Sequence, residues 1–211
     1  PYLRLFFDNM ELGNNSYVDI TSIFDNEVMT HTSSTLQDWN NTTAFFNGEF
    51  LFVELYLNKY DTNVQIYLDQ LFVGESPADQ GGEERAICGE DDDRVSSSHA
   101  AIGRMYPTGC TAWIAVNGKL ISAGHCKSMS LNILIEIIQF NIPSSLSDGT
   151  VQHPGVDSQY LVNSYEWSQN EEPGDGNDWF VMELDNNIET GLSPIEAQND
   201  YFDLEAVDSY I

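Results

Sequence analysis

Apolar and polar residues alternate in short runs along most of this chain, and the clearest case is residues 110–126, CTAWIAVNGKLISAGHC. Two period-2 runs flank Asn117-Gly118 there. Asn-Gly between alternating apolar positions is the strongest short-range hairpin signal, because both residues tolerate the positive φ of a type I′ turn. A two-residue turn pairs Val116 with Lys119. Continuing that register sets Cys110 opposite His125 and beside Cys126, within reach of a disulfide. Ala123 and Gly124, just ahead of the histidine, are small enough for a tight backbone turn.

The rest of the chain reads as strand too, which predicts an all-β fold. Residues 1–74 hold four runs rich in Tyr, Phe, Val, Ile and Leu, namely 2–7, 16–24, 42–58 and 63–74. Gly13-Asn14-Asn15 and Asn47-Gly48 punctuate them at intervals typical of a β-sandwich. In residues 50–57 both alternating faces are largely apolar, the pattern of an interior strand. Ser34 to Trp39 reads as a turn. Tyr17, Trp39, Phe45 and Phe46 read as core, with stacking on a sugar or peptide as the functional alternative. His31 reads as a surface or turn histidine. Residues 75–99 are dominated by Gly, Pro, Ser and acid and read as a linker, with the domain boundary near 80. Beyond it, residues 100–106, 131–140, 160–162 and 179–184 read as further strands. His153 sits in a Gly/Pro loop and is expected to face solvent. Residues 186–194 read as an exposed crossing.

Charge narrows the partners. The chain has 211 residues, 41% of them apolar, and a formal net charge of −27. Such a field repels phosphates, which argues against nucleic acid and anionic lipid. No apolar run is long enough to span a membrane as a helix. Three cysteines leave an odd one, Cys88, after a 110–126 pair, and that pair would imply an oxidising compartment. Reduced thiols are the alternative. Asn14-Asn15-Ser16 and Asn41-Thr42-Thr43 match the glycosylation pattern, relevant only in a eukaryotic secretory host.

The segment GCTAWIAVNGKLISAGHC resembles the histidine motif of trypsin-like (chymotrypsin-fold) serine proteases, with Gly124 where alanine is more usual. Asn177-Asp178-Trp179-Phe180-Val181-Met182-Glu183-Leu184 is similar to the family's aspartate motif, 53 positions after the histidine. The resemblance covers residues 85–211. It implies a secreted endopeptidase acting on polypeptides without a cofactor or metal. His125 would be the general base, Asp178 the buried group that orients it, and Cys110–Cys126 the local disulfide. The implied organisation is a β-sandwich accessory domain over 1–80, then the first barrel of a double β-barrel over 81–211. The family's Gly-Asp-Ser-Gly-Gly nucleophile motif is missing, and no initiator Met precedes Pro1. The expectation is therefore a fragment, truncated at both ends and inactive alone. Residues 2–74 weakly resemble the β-sandwich modules that precede some secreted bacterial proteases; such a module could take a polysaccharide or protein ligand.

Several other chemistries compete. Asp175 is the rival to Asp178, which alone abuts the apolar strand. A zinc set of Cys110, His125, Cys126 and His153 has no compact ligand spacing. A cysteine nucleophile, Cys126 or Cys88 with His125, is disfavoured for Cys126 because neighbours on one strand point apart. Glu90-Asp91-Asp92-Asp93 could form a calcium loop but lacks a turn-making glycine, and Arg85 could precede a processing site. A non-catalytic protease-like or adhesive protein is the alternative function.

Overall fold

A computed structural model describes residues 1–74, 98–128, 137–147, 149–168 and 177–203. Strand dominates these residues and the fold is all-β in class. Contacts divide the chain into two units. One is Pro1–Ser97 with Pro143–Val156, the other Ser98–Ile142 with Asp157–Ile211. Pro143–Val156 thus lies between barrel strands in sequence yet belongs with the first unit, unlike a single cut near residue 80. Cys88, Arg85, the acid run 90–93 and Asp175 lie outside the described residues, as does 131–136 of one expected strand.

The first unit holds β1 (Tyr2–Glu11), β2 (Tyr17–Ser22), β3 (Val28–His31), α1 (Ser33–Asp38), β4 (Phe46–Asn47), β5 (Leu51–Tyr56) and β6 (Gln65–Gly74). They make two three-stranded sheets, β4-β1-β6 and β3-β2-β5. Period-2 burial in β2 sends Val18 and Ile20 inward, to join Leu3, Leu5, Met29, Leu36, Trp39, Phe45 and Phe46. Each such side chain, fully buried, contributes about 1.5–3 kcal/mol. Trp39, Phe45 and Phe46 are core, as their sequence setting indicated, while Tyr17 stacks on Tyr56 at 4.6 Å between ring centres.

Four features of this unit depart from expectation. Ser34 to Trp39 is not merely a turn: residues 33–38 form a helical turn and a half, closed by a capping box between Thr32 and Thr35. That box uses threonine where Glu or Gln is the usual signal. Residues 51–56, expected inside a sheet, form an edge strand among the described residues, because β5 pairs with β2 alone. His31 is buried; its Nε2 lies 3.0 Å from the Thr42 carbonyl and its Nδ1 3.4 Å from Thr35 Oγ1. His153 is buried as well, its ring 4.5 Å from Tyr2 and 5.2 Å from Phe45. The Asn47 side chain explains His153. It accepts from the His153 N–H at 2.8 Å and donates to the His153 carbonyl at 2.9 Å, as a paired strand would.

The second unit holds β7 (Ile102–Tyr106), β8 (Cys110–Ile114), β9 (Leu120–Ser122), α2 (His125–Ser128), β10 (Ile137–Gln139), β11 (Gln159–Ser168), β12 (Trp179–Leu184) and α3 (Pro194–Gln198). Its strands close a six-stranded barrel in the order β10-β11-β12-β9-β8-β7. Inward positions carry Met105, Ala112, Ile114, Leu120, Ile138, Tyr160, Phe180 and Met182. β11 runs well past the three residues expected of it. In the 186–194 crossing Asn187 is buried, donating to the Gln159 carbonyl at 3.0 Å.

The 110–126 hairpin forms, but one residue out of the expected register. Trp113 pairs with Ile121 and Ile114 with Leu120, so three residues, Val116-Asn117-Gly118, make the loop. Gly118 takes the positive φ of 80° that such a loop ends on; Asn117 does not. The cause lies elsewhere in the chain. Val116 N–H donates to the Phe202 carbonyl at 3.1 Å and Phe202 N–H to Ile114 at 2.8 Å, so Val116 is committed to residue 202.

Burial, opposed by the Thr42 contact, pushes the His31 imidazole down to about 4. The unfolded chain therefore binds a proton near pH 6.5 that the folded chain refuses, and stability is lost as pH falls. The first unit should lose about 2 kcal/mol between about pH 7.5 and about 5, before most carboxylates titrate. Urea unfolding at the two pH values checks this: His31→Gln should remove that part of the pH dependence.

Candidate functional site

His125 and Asp178 come together because β9 and β12 are antiparallel neighbours. Phe180 pairs with Ser122 and Val181 with Ile121, so the chain leaving β9 passes the chain entering β12. His125 opens α2 two residues after Ala123, and Asp178 directly precedes Trp179. One carboxylate then grips one residue twice. Asp178 Oδ1 accepts the His125 backbone N–H at 2.7 Å, and Oδ2 lies 2.6 Å from the ring Nδ1.

The expected burial of Asp178 is not found. Its side chain is 45% exposed and that of His125 48%. The carboxylate stands at the rim, ahead of the first residue of β12, where only alternate side chains turn inward. Contact with the His125 side chain, then with its backbone N–H, holds the Asp178 carboxyl below its ordinary range. An ionised Asp178 accepts the Nδ1 proton of a neutral imidazole, which puts the basic lone pair on Nε2. That tautomer can take a proton from an attacking hydroxyl.

Two more contacts set α2. The disulfide Cys110–Cys126 ties its second residue to the start of β8, with Cα atoms 6.1 Å apart. On β11, Lys127 Nζ lies 4.2 Å from the Trp167 ring centre and 5.0 Å from that of Tyr165. No local pattern points to this cation–π clamp, since Lys127 and Trp167 are 40 positions apart along the chain. Because the disulfide occupies Cys110 and Cys126, neither is a thiolate for zinc or for nucleophilic attack. His125 and Cys126 share a helical turn, not the strand expected of them. Among the described residues no group of three or more His, Cys, Asp or Glu could hold a metal ion.

Gly124 is the residue the sequence marked only as unusual. A Cβ there would sit 2.0 Å from the Ser168 carbonyl oxygen and 3.0 Å from the Trp179 backbone nitrogen. Both obstacles are backbone, so they cannot swing aside. Here the alanine more usual in the resembling motif does not fit.

Compared with models of protein families, with curated proteins and with solved structures, the chain matches none.

Gly124→Ala should therefore destabilise the barrel unit by about 1–3 kcal/mol, unlike most exposed Gly-to-Ala changes. It should also separate His125 from Asp178. Denaturant unfolding, with the His125 ring resonances followed by NMR, measures both effects.

Proposed function

We propose that the chain is part of a secreted trypsin-like serine endopeptidase, with His125 as general base and Asp178 as the group that orients it. The observation that carries this reading is the double contact between one carboxylate and the Nδ1 face and backbone of one histidine. It occurs at the rim of a closed six-stranded barrel, with a disulfide to the next residue. In such a mechanism a serine hydroxyl attacks the peptide carbonyl as Nε2 takes its proton, and Asp178 stabilises the imidazolium. The described barrel is read as the first of two, and the two three-stranded sheets as an accessory β-sandwich. The disulfide supports secretion, because such bonds persist in oxidising compartments. Substrate is a polypeptide; no cofactor, nucleic acid or membrane enters the reading.

The 211 residues contain no Gly-Asp-Ser-Gly-Gly motif, so this reading places the nucleophile and its oxyanion hole outside them. A protease-like protein without activity is the second reading, favoured by one observation, the half-exposed carboxylate where the mechanism wants a sheltered one.

Sequencing the gene past the codon for Ile211 separates the two. The first reading expects Gly-Asp-Ser-Gly within roughly 100 residues, one domain's length; an absent or degenerate motif favours the second. With that continuation attached, Asp178→Asn should lower kcat on a peptide amide by about 10⁴-fold with little change in KM. An unchanged kcat rules Asp178 out of the mechanism.

A further inference from the structure

We infer that residues 1–74 form a peptide-binding cleft that holds residues 152–156, and that this hold keeps residues 1–74 attached after the chain is cut between 75 and 97. Along the sequence, 75–97 is the direct connection from β6 to the barrel strands. A cut there, as at Arg85, would set free an ordinary accessory domain. Residues 152–156 change that outcome. In sequence they lie between β10 and β11 of the barrel, yet by their contacts they belong to the first unit. Only Asp157 and Ser158 separate Val156 from β11.

The cleft reads this segment in three ways. Asn47 reads the backbone, accepting from the His153 N–H at 2.8 Å and donating to the His153 carbonyl at 2.9 Å. One side chain thus does what a sheet edge does for an added strand. The amide is itself held, because its Nδ2 also donates to Asp25 Oδ2 at 2.9 Å and the Asn47 carbonyl accepts from Ser22 Oγ at 2.8 Å. Tyr2 and Phe45 read the side chain: the imidazole lies against both rings, and His153 is 2% exposed. Glu27 reads the exit, its carboxylate accepting the Val156 N–H at 2.6 Å in a charge-assisted bond. Gln152, Pro154 and Val156 are buried with it. Further back, Leu146 and Thr150 face Ile23, Phe24 and Phe50 across a cavity of about 330 Å³. The grip is therefore concentrated on 152–156.

A buried ring in an aromatic pocket, with its backbone donor and acceptor both met, is the kind of anchor that carries affinity between separate chains. Letting go would expose Tyr2, Phe45, His153 and Val156 to water together. Residues 141–147 are exposed and offer a second place for a cut, but that cut too leaves 152–156 joined to β11. Residues 1–74 are then a retained subunit and not a segment shed by processing. None of this depends on a catalytic role for His125.

A nick in the whole chain tests this. A site for a sequence-specific protease is inserted between Gly81 and Gly82, and the purified protein is cut. Residues 1–81 contain no cysteine, so no disulfide can hold the two pieces. Gel filtration and native mass spectrometry at roughly 1 μM should find both pieces in one complex. Asn47→Leu and, separately, His153→Ala should weaken that complex at least about tenfold, with the near-ultraviolet circular dichroism of the uncut variants unchanged. If Asn47→Leu does not fold, His153→Ala decides. Two outcomes overturn the inference: pieces of the parent protein that separate at this concentration, and folded variants whose pieces stay together as firmly as the parent's.

Discussion

The antiparallel pairing of β9 with β12 decides where chemistry can occur in the barrel unit. Backbone hydrogen bonds over three residue pairs fix which ends lie side by side. Everything at the site follows from that adjacency. Gly124 has to pass the Ser168 carbonyl without a side chain, His125 has to begin its helix at the rim, and Asp178 has to arrive beside it. A slip of one residue between these strands would turn Asp178 to the other face, because side chains alternate with period two. The site is therefore as secure as the apolar pattern that sets the register, with Phe180, Met182 and Leu120 turned into the core.

In the first unit the organising contacts are polar and buried. Thr42 serves as a hub: its hydroxyl accepts from Arg4 Nη2 at 2.8 Å while its carbonyl meets His31 at 3.0 Å. The Arg4 guanidinium also donates to the Thr43 carbonyl and lies about 5 Å from the rings of Phe6 and Phe45. A buried cation is expensive unless its donors are used and aromatic faces shelter it. Asn47 performs a related task, replacing the backbone partner that residue 153 would otherwise require.

What the sequence made legible was local. Alternation in residues 110–126 and 179–184 marked the strands, and the small residues before His125 marked the turn. The fragment GCTAWIAVNGKLISAGHC named the residue that meets Asp178. The hairpin register was not legible, because it depends on Phe202, far along the chain, taking up Val116. Neither was the burial of His31 and His153, whose shelter comes from Thr42, Tyr2 and Phe45 rather than from their neighbours in sequence. The short helix after His31 escaped because it carries one buried residue, Leu36, and so has no period to detect. Asp178 lies ahead of an apolar strand, which looks like burial in sequence; at a barrel rim the same position is half exposed.

The helix that carries His125 is only four residues long and would not persist alone. It stays in place because three contacts of different chemical kinds meet on three successive residues: the carboxylate on His125, the disulfide on Cys126 and the cation–π clamp on Lys127. Each fails under a different condition. Because the carboxyl of Asp178 is held below its ordinary range, its contribution is complete above the unfolded value of 3.8 and lost only as pH falls through the lower folded value. Reductant removes the disulfide and leaves the other two. The lysine clamp answers to neither acid nor reductant, and salt reaches it only weakly at van der Waals range. Near neutral pH in an oxidising medium all three act together, and the imidazole is held to one orientation although half of it faces water.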